Sequence, residues 1–145
     1  MDFEIKNLIC LATRFRNALV AVVEDHVKAR IRGFPIDAFP RGACGDAARL
    51  LATYLREQEC GTFDYCFGQR RGKSHAWLWR GELVVDITAD QFEDQDSPVI
   101  VTRNSIWHST FRDIREGSAY FDQYGDSDRN RMLRFYELII QRIDP

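Results

Sequence analysis

Excess charge, paired cysteines and long apolar runs are all missing from this chain, and each absence removes a class of function. Its 145 residues hold 20 Lys and Arg against 22 Asp and Glu, a formal charge of -2. That balance gives no global field to draw the protein to nucleic acid or to an anionic membrane, so neither is expected as a partner. No apolar run approaches the roughly 20 residues that cross a bilayer. The opening Met-Asp-Phe-Glu-Ile-Lys lacks the basic region and cleavage site of a signal peptide, so a cytoplasmic location is expected. The four cysteines, Cys10, Cys44, Cys60 and Cys66, are irregularly spaced with no CxxC pair, which argues against a disulfide framework and a zinc ribbon. Reduced thiols with no metal and no cofactor are the expectation. Histidine is scarce too, at 3 residues. The length and the 45% hydrophobic content suit one domain over residues 1–145 with a core of its own.

What is present falls into three regimes. Leu8, Ala12, Phe15, Leu19, Val22 and His26 recur at alternating spacings of four and three, which predicts a long amphipathic helix from Phe3 to about Ile31. His26 on its apolar face reads as a hydrogen-bonded structural group. Gly33, Pro35 and Pro40 then break the helix and leave Phe34, Ile36 and Phe39 in an extended connector. A second helix is predicted from Cys44 to about Glu57, with Ala47, Leu50, Leu51, Tyr54 and Leu55 inward and Gly61 at its exit. The period next changes to two, around Phe63–Phe67, His75–Trp79, Leu83–Thr88 and Val99–Thr102, which predicts strands. The basic Gln69–Lys73 and acidic Asp90–Asp96 segments read as solvated loops. Beyond Asn104 little structure is predicted until Ser127-Asp128, which can cap a last helix carrying Met132, Phe135, Tyr136, Ile139, Ile140 and Ile143.

The chemistry concentrates around Gly42-Ala43-Cys44-Gly45-Asp46. A thiol at a helix amino terminus is acidified by unpaired N–H groups and the positive end of the helix dipole. Gly45 permits close approach of a substrate, and the Cys44 N–H is placed to bind an oxyanion. Alone, Cys44 is read equally well as a small buried residue. The strands downstream supply the partners. A hairpin loop of Arg80-Gly81, or of the four residues Trp79 to Glu82, sets Leu78 opposite Leu83 and His75 opposite Asp86. Asp86 would then orient the His75 imidazole and stabilise its charged form. A charged residue inside Leu-Val-Val-Asp-Ile-Thr needs such a partner. Trp77, on the same strand face as His75, and Gln91, whose side-chain N–H suits an oxyanion, are further substrate-binding candidates beside Gly45, though core packing and a plain loop role also explain them. His108 reads as a turn cap in preference to a site residue. A metal held by Cys44, His75 and Asp86 is chemically possible, but no fourth ligand is evident and the helix-start position of Cys44 counts against it.

At Gly42-Ala43-Cys44, His75-Ala76-Trp77 and Asp86-Ile87-Thr88 the sequence resembles the transglutaminase-like group of papain-like cysteine enzymes, and the chain order Cys, His, Asp agrees. The resemblance spans roughly Phe39 to Thr88, about a third of the chain. It implies an α+β fold in which an antiparallel sheet packs against a nucleophile-bearing helix, here flanked by long amino-terminal and carboxy-terminal helices. It further implies a compact, bacterial-type hydrolase or acyltransferase acting on a peptide or protein amide through a thioester: Cys44 the nucleophile, His75 the proton shuttle, Asp86 its orienting acid. Protease, deamidase and cross-linking chemistries all occur in such a group. The alternative is a catalytically inactive binding or regulatory module on the same fold. No calcium-loop pattern is present, so calcium dependence is not carried over, and no glutamine precedes Cys44 where papain-like proteases place their oxyanion residue.

Overall fold

The structure, a computed structural model, describes residues 2–29 and 44–143. The expected connector at 32–41, together with Gly42 and Ala43, lies outside the described residues. Three α-helices, α1 (Phe3–Ala29), α2 (Cys44–Glu57) and α3 (Asp126–Ile143), accompany five strands: β1 (Asp64–Arg70), β2 (Lys73–Arg80), β3 (Leu83–Asp86), β4 (Ile100–Arg103) and β5 (Arg112–Ser118). The strands form one antiparallel sheet in the order β4-β3-β2-β1-β5. The fold is thus α+β with long helices near both ends.

The helices obey their periodicity. Asp2 caps α1, its Oδ1 accepting from the N–H groups of Glu4 at 2.9 Å and Ile5 at 3.3 Å. The face expected inward, Leu8, Ala12, Phe15, Leu19 and Val22, is buried and joined by Leu11 and Val23. His26 Nδ1 donates to the Val22 carbonyl at 2.8 Å, the structural role expected of it. Helix α2 buries Ala47, Leu50, Leu51, Tyr54 and Leu55, each leucine contributing about 1.5–3 kcal/mol. Its end comes before Gly61. Cys60 N–H donates to the Leu55 carbonyl and Glu59 N–H to that of Arg56, the paired closing bonds of a Schellman motif, with Glu59 in the left-handed region at φ 61. Helix α3 begins one residue ahead of the expected Ser127-Asp128 cap and buries Met132, Phe135, Tyr136 and Ile139. No helix among the described residues is long and apolar enough to cross a membrane.

Turn chemistry sets the sheet register. The β1–β2 hairpin turns on Arg71-Gly72, both at positive φ (51 and 78), as a type I′ turn requires. The β2–β3 hairpin turns on Gly81-Glu82, with Gly81 at φ 59. A type II′ turn takes glycine as its first central residue, so the loop sits one position later than the expected Arg80-Gly81. Leu78 therefore pairs with Val85, Trp79 with Val84 and Arg80 with Leu83, a slip of two residues from the expected register. His75 is not directly opposite Asp86. Because side chains alternate with period two, the slip leaves every residue on its expected face.

One face of the sheet, with Leu78, Leu83 and Val85, joins the helices in the main core. The other, with Cys66, Trp77 and Val84, packs under Phe92 and Phe111. Strands β4 and β5 lie on opposite edges, so residues 104–111 must cross the sheet between them. Strand β5 falls where the sequence predicts little structure, because all its residues are exposed; pairing with β1 holds it, through an irregularity between Phe67 and Gln69.

Candidate active site

Asp86 ends β3 and sets the course of the chain beyond it. Its Oδ1 accepts from the Thr88 N–H at 2.9 Å, an Asx turn that leads the chain into a 3-10 turn at Ala89–Gln91. This turn delivers the Gln91 amide nitrogen to within 2.7 Å of His75 Nδ1. Arg16 of α1 clamps the same stretch, donating to both Asp90 carboxylate oxygens at 2.8 Å, to the Ile87 carbonyl at 2.5 Å and to that of Pro98 at 3.2 Å.

His75 and Asp86 meet despite the register slip. Diagonal neighbours on one face are within reach of long side chains, and His75 Nε2 lies 2.6 Å from Asp86 Oδ2. A second imidazole shares that oxygen: His108 Nε2 is also 2.6 Å from Asp86 Oδ2. All three residues are buried, at 0%, 1% and 5% exposure for His75, Asp86 and His108. With Nε2–H donating in both rings, Nδ1 of the neutral form of His75 accepts from Gln91, and Nδ1 of the neutral form of His108 accepts from the Ser105 hydroxyl at 2.6 Å. His108 thus occupies a 3-10 turn, as expected, and also lies inside the site, which is not expected. The crossing segment brings it over Asp86, and its one sequence signal is Trp107-His108 near the aromatic Phe111.

The aromatic shell is continuous. Trp77 lies 5.6 Å from the His75 ring and 4.8 Å from that of His108, with Phe92, Trp107 and Phe111 5.2–5.9 Å from His75. At 1% exposure, Trp77 is packed beneath the imidazoles and presents no surface to a substrate. The two loops expected to be solvated also close on this shell. Arg70 binds Asp94 through both nitrogens at 3.0 and 2.6 Å, and Trp107 Nε1 donates to Asp94 at 3.2 Å.

Electrostatics sort the four cysteines. Burial pushes Cys66 up to about 12 and also raises Cys60, while Cys10 is exposed. Half-buried Cys44, the first residue of α2, behaves oppositely. Burial works to raise its thiol, but the hydrogen bond and charge of His75, the Ala76 backbone and the Gln91 amide together bring it below the ordinary thiol value. His75 is reciprocally raised to about 9: burial opposes its charge, and the charge and hydrogen bond of Asp86, with Cys44, outweigh burial. Asp86 is held below the usual carboxylate range by the two histidines against its desolvation. Gly45 fits closely, since an added Cβ would stand 3.1 Å from the Tyr65 hydroxyl and 3.3 Å from an Arg49 nitrogen, side-chain ends that would have to shift to admit it.

Of the residues singled out in the sequence, Cys44, His75, Asp86 and Gln91 gather at one end of β2, Gly45 lies beside them and Trp77 lies beneath. Comparison with protein-family models, with curated proteins and with solved structures finds no match to this chain.

Proposed function

We propose that the protein is a cysteine-dependent hydrolase or acyltransferase acting on a peptide or protein amide through a thioester, of the transglutaminase-like kind. The observation that carries this reading is the polarity of His75: Nε2 is committed to Asp86 at 2.6 Å, and Nδ1 faces Gln91, with Cys44 the thiol its ring acidifies. Asp86 fixes the tautomer and stabilises the imidazolium. The Cys44 thiolate attacks the carbonyl carbon, forming the S–C bond as the carbonyl π electrons move to oxygen. Collapse of that adduct breaks the C–N bond, and His75 gives its Nδ1 proton to the departing amine. Water or an amine, deprotonated by His75, then displaces the thiolate. When His75 is charged, Nδ1 no longer accepts from Gln91, and the freed amide N–H can turn to the oxyanion.

The test is Cys44 alkylation against pH in the wild type and in His75→Ala, read by peptide mass spectrometry. The wild-type profile should show a thiol ionising below the ordinary value of 9.0. In His75→Ala the rate at pH 7 should fall about tenfold or more. Identical profiles would remove His75 from the mechanism, and no acyl adduct on Cys44 from any peptide pool would favour the inactive binding module.

A second reading has its own observation. His75, Asp86 and His108 can each offer one ligand atom, all within 4.8 Å of one another. Ligands about 2.0–2.1 Å from a tetrahedral zinc stand about 3.3 Å apart, wider than the 2.6 Å contacts to Asp86, so hydrogen bonding describes this geometry better. Stoichiometric zinc in protein purified without chelator would reverse that preference.

A further inference from the structure

Arg49, one helical turn beyond Gly45, holds a cation that no carboxylate among the described residues pairs with. Its Nε is buried without a hydrogen-bond partner, and NH1 reaches the Gly45 carbonyl only at 3.5 Å. The guanidinium lies 3.7 Å over the Tyr65 ring and 5.8 Å from that of Tyr124, which restrains its plane. Of the two acids on the same helix, Asp46 is taken by Arg131 at 3.2 Å and Glu57 accepts from the Tyr136 hydroxyl. Arg49 NH1 and the Tyr65 hydroxyl both close on Gly45, at 3.3 and 3.1 Å from the position of an added Cβ, so two donors converge beside the residue that follows Cys44. The strand register adds a further cation: Arg115 is opposite Phe67 and therefore on the sheet face of Tyr65 and Phe67, and it is exposed.

A planar guanidinium fork with a hydroxyl next to it suits a carboxylate. We propose that Arg49 and Tyr65 form an anion seat next to Cys44 that selects acyl substrates carrying a carboxylate within a residue or two of the reacting carbonyl. This rests on Cys44 being the nucleophile. Glycine at position 45 keeps a side chain out of the space on which the two donors close. The carboxylate belongs either to an acidic side chain or to a chain end, and the two are separated by experiment.

Iodoacetate and iodoacetamide differ in charge and react alike, the thiolate forming an S–C bond as iodide leaves. At low salt, iodoacetate should alkylate Cys44 about tenfold faster than iodoacetamide or more, the low end of what a hydrogen bond between charged groups supplies. Arg49→Met should reduce that ratio about tenfold, and Arg49→Lys should retain part of it. N-acetylglutamate α-amide and N-acetylglutamine, added as competitors, carry the carboxylate on the side chain and at the chain end respectively, and the one that protects Cys44 from iodoacetate identifies the source. A ratio unchanged in Arg49→Met, or protection by neither competitor of the wild type, overturns the anion seat while leaving the nucleophile in place. A Cys44 no faster than exposed Cys10 with either reagent overturns the proposed function itself. The competitor arm uses the wild-type protein, so the test stands even if Arg49→Met does not fold.

Discussion

At the scale of single residues, Asp86 does the most. Two imidazoles donate to its Oδ2 and the Thr88 N–H to its Oδ1, all in a buried setting. Asp86→Asn removes the charge both rings depend on, and unfolding free energy in urea should drop by about 3–5 kcal/mol, the range for breaking a buried ion pair. The His75 titration, followed by NMR, should fall from about 9 toward its ordinary 6.5. The signs give a pH window. His75 is raised on folding, so its contribution is complete below 6.5 and is lost as pH climbs through about 9. Asp86 is lowered, so its contribution is complete above 3.8 and is lost as pH falls toward its folded value. The lowered Cys44 thiol adds stability with rising pH in the same upper range, so the His75 slope is read in Cys44→Ala, where a curve still rising above pH 7 would contradict the pairing. His108→Ala should cost about 1.5–3 kcal/mol for the charged hydrogen bond it gives up. The contact of His75 with Asp86 is legible from residue type and setting, because a carboxylate in an apolar strand demands a partner. His108 is not, since its position over Asp86 depends on how a segment without periodicity crosses the sheet.

At the scale of elements, turn and cap chemistry decides more than propensity. Glu59 holds the left-handed position that closes α2, where a side chain is strained. Glu59→Gly should stabilise the protein by about 0.5–1 kcal/mol, seen as a higher melting temperature. Gly68→Ala should do the reverse: its Cβ would meet Ile114 Cδ1 at 2.6 Å and Phe111 Cβ at 3.1 Å, and overpacking of this kind costs about 1–3 kcal/mol. The helices are readable because their apolar stripes are long. The β2–β3 register differs from expectation because Gly81 fits either central position of a two-residue loop on composition alone, and only turn type separates them. The site survives the difference because a slip of two preserves the face. Strand β5 offers no alternation to read, since Arg-Asp-Ile-Arg-Glu-Gly-Ser is exposed on both sides.

At the scale of the whole molecule, α1 is the connecting member. It packs on α3, where His26 lies 5.1 Å from Phe135 and Asp25 pairs with Arg142. Its first turn pairs with the sheet edge, Arg103 binding Asp2 at 3.0 Å and Glu4 at 2.8 Å. In its middle, Arg16 grips the Ile87–Pro98 stretch through Asp90 and two carbonyls. Arg16→Met should cost about 1.5–3 kcal/mol. In hydrogen exchange, protection should fall first at Gln91, Phe92 and Gln95, whose N–H groups bond within that stretch, and only later in β2. Equal loss in both regions would show that Arg16 supports the fold generally. Gln91 touches His75, yet what steadies Gln91 is a guanidinium anchored in the amino-terminal helix. That helix is accordingly coupled to the His75 contact: a tilt of the helix changes how the Gln91 amide meets His75, and by linkage whatever tightens Gln91 on His75 steadies the helix in return.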